Sequence, residues 1–294
     1  MNCPSNNLKT VAAHYIAKIT AIYPEEEARN IVWMLLEHFF GLNRLMPAVN
    51  PDLRLSESEL LILHNACKKI LQHTPIQYVI GKTDFCGLSF ELNASTLIPR
   101  PETEQLVHYI LDGEKRSFSP SRILDIGTGS GCIAIALKKH HPDCEVFACD
   151  INREALQMAT QNAEKNNTPV HFFYCDILSA GSLSSVPKMD VIVSNPPYVC
   201  LSEKPAMRPN ILLHEPETAL FVADEDPLLF YKSIAEAAVD KLNTGGKLFF
   251  EINEKFGNEV AEILRNNGFT NIHIKNDFRG KTRFVSACVK SEQQ

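Results

Sequence analysis

The sequence Arg122-Ile123-Leu124-Asp125-Ile126 leads into Gly127-Thr128-Gly129-Ser130-Gly131, and these ten residues are the strongest indication of the fold. Its first half is a short apolar run typical of a buried strand, and an apolar helix from Cys132 to Leu137 follows the glycines. Glycines at alternate positions let the backbone bend tightly and let a ligand approach the main chain without meeting a Cβ atom. The sequence therefore predicts a strand, a ligand-binding loop and a helix in succession.

The residues around this loop narrow the class of ligand. A dinucleotide fingerprint would need glycine at position 132, where this chain has Cys132, and no lysine is placed as in a P-loop. The next predicted strand, Cys144 to Cys149, ends in Asp150, roughly 20 residues beyond the loop, where an acidic side chain reaches ribose hydroxyls. A third strand, Val170 to Cys175, ends in Asp176-Ile177, placed to flank an adenine ring. This order favours a nucleoside without a phosphate chain over NAD or ATP.

A second motif, Asn195-Pro196-Pro197-Tyr198, follows the apolar run Val191 to Ser194. Proline lacks an N–H group and restricts the residue before it, so the strand ends here in a stiff turn. The Asn195 amide oxygen and the Pro196 carbonyl can each accept one hydrogen bond from a planar amino group, while Tyr198 packs on its flat face. The alternative is an asparagine that only caps its own turn.

Composition and charge restrict the class of protein. The chain has 294 residues, 45% hydrophobic content and a net charge of −6, without a dense cluster of lysine and arginine. We therefore expect no stable binding to nucleic acid, although a local basic patch can exist within an acidic total. Nine cysteines without a C-x-x-C pair argue against a disulfide framework and against a zinc site, and no metal is expected. The absence of a signal-like start and of a long apolar stretch predicts a cytoplasmic protein without a membrane segment.

The apolar periodicity predicts two domains and a connection. Residues 1–74 read as a small helical bundle with helices from Leu8 to Ile19 and from Glu25 to Phe40, and with a capping box at Ser56 to Glu59. Residues 75–95 read as a linker with a hairpin around Gly87. From residue 96 to residue 294 strands and helices alternate, which predicts an α/β domain with a mostly parallel sheet. The bundle is predicted to recognise the substrate, with a purely stabilising role as the alternative.

The stretch from Leu124 to Gly131 resembles the cofactor motif of class I S-adenosylmethionine-dependent methyltransferases, which have a Rossmann-like sheet. Together with the Asn-Pro-Pro-Tyr turn it resembles the enzymes that methylate amino or amide nitrogens. The stretches Leu97 to Glu104 and Pro75 to Gly81 narrow the resemblance to the HemK/PrmC family, the glutamine methyltransferases of peptide chain release factors. The resemblance implies cofactor contacts from Gly127, Thr128, Gly129, Ser130, Gly131, Asp150, Asp176, Ile177 and Asn195. It implies substrate contacts from Asn195, Pro196, Pro197 and Tyr198, with Asn195, Pro196 and Tyr198 as the catalytic residues.

This resemblance implies transfer of a methyl group from S-adenosyl-L-methionine to the N5 amide nitrogen of the glutamine in a Gly-Gly-Gln motif. The co-product would be S-adenosyl-L-homocysteine, and the partners would be peptide chain release factors. One alternative is the same chemistry on an amino group of adenine or cytosine in nucleic acid. Another is a binding protein that keeps the cofactor fold without catalysis.

The sequence departs from the family pattern at three places. Phe221 to Pro227 stands where a glycine-rich loop is expected, and Asn253 stands where the family tends to have glycine. Ile177 stands where an aromatic residue is often found, which predicts weaker stacking on adenine. The first two departures bear on the shape of the substrate-side loop rather than on the chemistry.

Overall fold

A computed structural model describes residues 4–114 and 120–290 of the chain. The chain divides into two compact units, one comprising Met1–Gly81 with Arg208–His214 and the other comprising Lys82–Met207 with Glu215–Gln294. The predicted ranges 1–74 and 96–294 include residues 1–3, 115–119 and 291–294, which lie outside the described residues.

The secondary structure alternates between helices and strands from residue 82 onward and is helical before it. The helices are α1 (Leu8–Ile19), α2 (Glu25–Phe40), α3 (Met46–Val49), α4 (Glu57–Leu71), α5 (Ile76–Ile80), α6 (Pro101–Glu114), α7 (Cys132–His140), α8 (Arg153–Lys165), α9 (Pro209–Leu212), α10 (Glu217–Leu220), α11 (Leu229–Lys241) and α12 (Gly257–Asn266). The strands are β1 (Lys82–Phe85), β2 (Leu88–Glu91), β3 (Arg122–Ile126), β4 (Glu145–Asp150), β5 (His171–Tyr174), β6 (Met189–Ser194), β7 (Val199–Cys200), β8 (Phe221–Val222), β9 (Leu242–Glu251), β10 (Phe269–Asn276) and β11 (Thr282–Val289).

The first unit is a helical bundle whose ends are set by local capping. Asn7 accepts hydrogen bonds from two backbone N–H groups at the start of α1, and Ser56 and Glu59 form a capping box at the start of α4. Gly41 ends α2 in the left-handed region with φ of 69°. The predicted helices α1 and α2 and the predicted capping box are therefore confirmed.

The limits of the first unit follow its contacts rather than the boundaries predicted from sequence. Helix α5 belongs to this unit, although the sequence placed it in the linker over residues 75–95. The segment Arg208–His214 also belongs to it, because Arg208 Nη1 lies 3.3 Å from Glu27 Oε1 and His214 Nε2 lies 3.1 Å from the Gln72 carbonyl oxygen. These are contacts between distant residues, which sequence composition does not signal.

The second unit begins with the predicted hairpin. Strands β1 and β2 pair antiparallel through Cys86 and Gly87, both with positive φ, as a type I′ turn requires. Asn162 then holds the end of the hairpin, since its side chain accepts from the Glu91 N–H at 2.7 Å and donates to the Glu91 carbonyl at 3.0 Å. The hairpin prediction is confirmed.

The main sheet of the second unit has the strand order β10-β11-β9-β6-β3-β4-β5. Strands β9, β6, β3, β4 and β5 run parallel, and β11 and β10 close the sheet antiparallel. Helices α11 and α12 pack on one face, whereas α6, α7 and α8 pack on the other. The predicted mostly parallel sheet is confirmed. Because β6, β3 and β4 are parallel neighbours, the segments that follow them meet at one edge of the sheet.

Candidate active site

A cavity of about 340 Å³ lies at the carboxyl ends of the parallel strands. The loop after β3, the ends of β4 and β5, and the turn after β6 all contribute to its wall. The predicted site residues that line it are Gly127, Gly129, Asp150, Asp176, Ile177, Asn195, Pro196 and Pro197. The glycine loop, the ends of β4 and β5 and the Asn-Pro-Pro part of the turn therefore converge on one cavity, as the sheet order requires. Tyr198, predicted as a substrate contact, is not among the residues that line it.

The glycine loop separates residues that face the cavity from residues that shape the loop. Gly127, Gly129 and Gly131 have φ values of 76°, 54° and 81°, which non-glycine residues rarely adopt. Gly127 and Gly129 line the cavity, whereas Thr128, Ser130 and Gly131 are not among its lining residues. A Cβ atom on Gly131 would meet helices α7 and α8 instead. These last three residues build the loop from behind.

Buried Asp125 supports the loop from the end of β3. Its carboxylate accepts a hydrogen bond from the Thr128 hydroxyl at 2.6 Å. Burial raises the pKa of Asp125 to about 7, and the Thr128 hydrogen bond opposes that increase. Asp125 thus explains why a polar residue follows Gly127, although Thr128 does not face the cavity.

Asp150 presents a carboxylate of fixed orientation to the cavity. Its two oxygens accept from the Gly129 N–H and from the Asn152 N–H, each at 2.8 Å. Burial raises the pKa of Asp150, and these backbone hydrogen bonds oppose the increase. A further backbone hydrogen bond comes from Ile151, and an ionised carboxylate offers about four acceptor sites, so Asp150 can still accept from a ribose hydroxyl.

Asp176 and Ile177 occupy the wall that follows β5. Asp176 accepts from the Leu178 N–H at 3.0 Å and from the Ser179 hydroxyl at 2.9 Å, so its side chain is fixed by the segment that follows it. Ile177 provides an apolar contact beside it. A carboxylate beside an aliphatic side chain suits a flat heterocycle that carries an exocyclic amino group.

The Asn-Pro-Pro-Tyr turn is held by a buried hydrogen-bonded chain. Asn195 Nδ2 donates to the Thr103 hydroxyl at 3.3 Å, and Thr103 donates to Glu251 Oε2 at 2.8 Å. The Tyr198 hydroxyl donates to the other oxygen, Glu251 Oε1, at 3.0 Å. Burial raises the pKa of Tyr198, and the Glu251 charge raises it further. The phenol therefore stays protonated at neutral pH.

Asn253, one of the departures noted in the sequence, lies against this turn. Its side-chain NH2 group donates to the Tyr198 carbonyl at 3.1 Å and to Glu203 Oε1 at 3.1 Å. A glycine could make neither contact. The departure at Phe221 to Pro227 also reaches the site. Strand β8 begins at Phe221 and pairs in parallel with β7, which directly follows the turn.

Sequence reasoning missed most of the cavity wall, both apolar and polar, and one ion pair whose carboxylate is buried. The cavity-lining residues that it did not select are Ser95, Leu97, Ile126, Ile151, Asn152, Ala155, Cys175, Leu178, Ser194, Thr218, Ala219, Phe221, Phe230 and Ile234. The position of Ile151 directly after Asp150 was a usable signal, whereas Phe230 on α11 is brought in only by folding. Arg100 pairs with the buried Glu215, which also accepts from the Ile98 N–H at 3.4 Å. This pair fixes the segment before α6.

The described residues contain neither a candidate membrane-spanning helix nor a candidate metal site. Across residues 4–114 and 120–290, no helix has the length and apolar character needed to cross a membrane. Over the same ranges, no three histidine, cysteine, aspartate or glutamate side chains are grouped so that they could hold a metal ion.

The sheet order, the glycine loop and the turn after β6 define a class I methyltransferase fold. Residues 105–220 match the family model of the methyltransferase small domain, and residues 12–81 match that of the PrmC N-terminal domain. A solved methyltransferase from Pyrococcus furiosus has a similar fold, with a TM-score of 0.51 and 23% identity over 77% of this chain and 98% of that chain.

Two curated relatives identify the family. The release factor glutamine methyltransferase of Flavobacterium psychrophilum is 41% identical over 280 residues, which cover 95% of this chain and 98% of that protein. The protein of the same name from Bacteroides thetaiotaomicron is 40% identical over 95% of this chain and 99% of its own length. The chain belongs to the release factor glutamine methyltransferase family, and the resemblance to the HemK/PrmC proteins is confirmed.

Proposed function

We propose that this chain transfers the methyl group of S-adenosyl-L-methionine to the N5 amide nitrogen of the glutamine in the Gly-Gly-Gln motif of peptide chain release factors. The observation that carries the proposal is the orientation of the Asn195 amide. Because its NH2 group donates to Thr103, its Oδ1 oxygen is the atom left to accept a hydrogen bond from a substrate in the cavity. An acceptor at that point suits a substrate amide, which carries two N–H donors.

The residues that line the cavity fit S-adenosylmethionine. Gly127 and Gly129 allow close approach of the cofactor to the main chain, and Asp150 would bind the ribose hydroxyls. Asp176 and Ile177 would bind the adenine edge and face, with Phe230 adding apolar surface. When bound, the cofactor supplies an electrophilic methyl group on a sulfonium ion.

The side chains of the turn would compensate for a poor nucleophile. An amide nitrogen reacts weakly because its lone pair is delocalised into the carbonyl group. Asn195 Oδ1 and the Pro196 carbonyl would hold both amide hydrogens, which fixes the direction of attack and favours positive charge developing on nitrogen. Tyr198 would pack on the amide plane. Tyr198 keeps its own proton, and Glu251 already accepts hydrogen bonds from two hydroxyl groups. We therefore expect the proton of the methylated amide nitrogen to leave to water after transfer.

The nature of the substrate is supported by the relatives and by charge. Both relatives described above are named release factor glutamine methyltransferases and match over nearly their whole length. The net charge of −6 disfavours a bare polyanion such as DNA. Nucleic acid remains the second candidate, because the same turn suits an exocyclic amino group.

A labelled-methyl assay tests the proposal. Purified release factor, release factor with the Gly-Gly-Gln glutamine changed to alanine, tRNA and DNA are each incubated with the parent enzyme, with Asn195→Ala and with the surface control Asn258→Ala. We expect label only in the unaltered factor, with parent and control equal. Loss of a hydrogen bond that leaves a buried partner unpaired costs about 1–3 kcal/mol. Turnover of Asn195→Ala should therefore be roughly 5-fold to 150-fold slower than that of the parent at saturating cofactor.

Two other outcomes would contradict the proposal. Label in DNA adenine with the factor unmodified would establish the nucleic-acid activity instead. Absence of label in every substrate, together with tight S-adenosylmethionine binding, would establish a binding protein without catalysis.

The first unit is proposed to recognise the intact release factor. Leu45 and Val49 are 70% and 78% exposed and lie four positions apart, Leu45 directly before α3 and Val49 at its end. The double variant Leu45→Ser/Val49→Ser should raise KM for the intact factor roughly tenfold and leave methylation of a short Gly-Gly-Gln peptide unchanged. Val239→Ser, an exposed apolar residue on α11, is the control. If the double variant has the same KM as the parent for both the intact factor and the peptide, a purely stabilising role of the first unit would be favoured instead.

A further inference from the structure

Two buried polar side chains that hold the turn have no contact with the cavity. Thr103 is 3% exposed and lies in the first turn of α6, and Glu251 is 1% exposed and ends β9. Neither lines the cavity. Thr103 nonetheless contacts both Asn195 and Glu251, which are separated from it by 92 and 148 positions in the chain. A buried carboxylate needs hydrogen-bond donors, and the donors to Glu251 are Tyr198 in the turn and Thr103, which contacts Asn195 in the turn.

Hydrogen bonds link Asn195, Thr103, Glu251 and Tyr198 in series, and the direction of each bond follows from which groups can donate. Burial raises the pKa of Glu251, and the hydrogen bonds from Thr103 and Tyr198 and the charge of Arg283 oppose that increase. In its ionised form Glu251 can only accept, so the hydroxyl hydrogens of Thr103 and Tyr198 both point at it. The single hydrogen of Thr103 is then used, and its oxygen can only accept from Asn195. Only the NH2 end of the Asn195 amide can donate. The amide therefore has one permitted orientation, with Oδ1 directed away from Thr103.

A reversed amide would be inactive toward an amide substrate. Its NH2 group would face the two N–H donors of the substrate, and donor would meet donor. An asparagine without a partner has two orientations of similar energy, since its oxygen and nitrogen ends have nearly the same shape. A mechanism that selects one of them therefore matters directly for turnover.

We infer that Thr103 and Glu251 are positioning residues that fix the Asn195 amide with its oxygen toward the transferring nitrogen. Glu251 acts through Thr103, and it also holds Tyr198, so one carboxylate orders both ends of the turn. This inference rests on the proposed function in one respect, because the orientation has a kinetic consequence only if the substrate donates N–H groups to Asn195.

A pair of substitutions at one position separates positioning from packing. Thr103→Val keeps the shape and removes the hydroxyl, whereas Thr103→Ser keeps the hydroxyl and removes a methyl group. We expect Thr103→Val to lower kcat with release factor roughly 10-fold to 100-fold while the Kd for S-adenosylmethionine stays within twofold of the parent. Thr103→Ser should retain kcat within about threefold, because the hydrogen-bonded chain is intact. A structural defect alone would not be rescued by serine and would change cofactor binding as well.

A second measurement does not depend on turnover. Protein labelled with 15N at asparagine gives side-chain amide signals, and Asn195→Ala identifies the signal of Asn195. We expect slow hydrogen exchange of the Asn195 NH2 group in the parent and in Thr103→Ser, and fast exchange in Thr103→Val. Equal exchange in all three proteins, or parent kcat in Thr103→Val, would overturn the inference. A parent enzyme that methylates no release factor would instead refute the proposed function, and the exchange rates would still decide the hydrogen-bonded chain.

Discussion

Replacing Gly131 or Gly129 with alanine should damage the protein in two different ways. Both glycines have positive φ, 81° at Gly131 and 54° at Gly129. At Gly131 a Cβ atom would lie 3.0 Å from Ile135 Cδ1 and 3.1 Å from Ala159 Cβ. At Gly129 a Cβ atom would meet no protein atom within 4 Å. The first position is limited by packing between α7 and α8, and the second borders the cavity.

The magnitudes follow from these contacts. Holding an alanine in the left-handed region costs about 1–2 kcal/mol at either position. Overpacking adds about 1–3 kcal/mol at Gly131, because the Ile135 methyl group can rotate away but Ala159 moves only with the backbone of α8. At about 2–4 °C per kcal/mol for a unit of this size, Tm should fall by about 4–20 °C in Gly131→Ala and by about 2–8 °C in Gly129→Ala.

Cofactor affinity should show the opposite order. Gly129 lines the cavity and its N–H group orients Asp150, so an added methyl group and a displaced backbone act on the cofactor site itself. Isothermal titration should give a Kd for S-adenosylmethionine at least roughly tenfold higher in Gly129→Ala, and near the parent value in Gly131→Ala well below its Tm. Thermal unfolding without ligand supplies the stability comparison. Equal Tm values for the two variants, or parent affinity in Gly129→Ala, would refute this reading of the loop.

The remaining predictions concern the pH dependence of stability and the hydrogen bonds from Asn253 to the turn and to Glu203. Burial raises the pKa of Asp125 from 3.8 to about 7, so the folded state holds a proton that the unfolded state releases, and this stabilising contribution is lost as pH rises from about 4 to 7. Urea unfolding across that range should show a smaller fall in stability for Asp125→Asn, with a maximum difference of about 4 kcal/mol; identical slopes would mean that Asp125 ionises normally. Asn253→Gly removes the hydrogen bonds to the Tyr198 carbonyl and to Glu203, and should lower both kcat and the free energy of unfolding, the latter by about 1–3 kcal/mol. Parent values of both in this variant would show that the contacts do not hold the turn.

Much of the fold could be predicted because the signals are local. The capping box at Ser56, the left-handed end of α2 at Gly41 and the hairpin around Gly87 each depend on residues within one turn of the chain. The glycine loop after β3 and the prolines after β6 likewise restrict their own backbone. Once the strands are taken as parallel neighbours, the ends of β3, β4, β5 and β6 must share one edge. That is why the predicted residues from the ends of four separate strands meet at one cavity.

The order of the elements, the family and the backbone positions that require glycine or proline can be read from the residues alone. The orientation of the Asn195 amide, the hydrogen bond from Asn253 to the turn and the place of Arg208–His214 in the helical unit depend on how the chain packs. The physical reason is the range of the interactions. Backbone restriction acts within a few residues, whereas the hydrogen bonds from Thr103 join side chains 92 and 148 positions away. Such contacts form only after the sheet and its helices have packed.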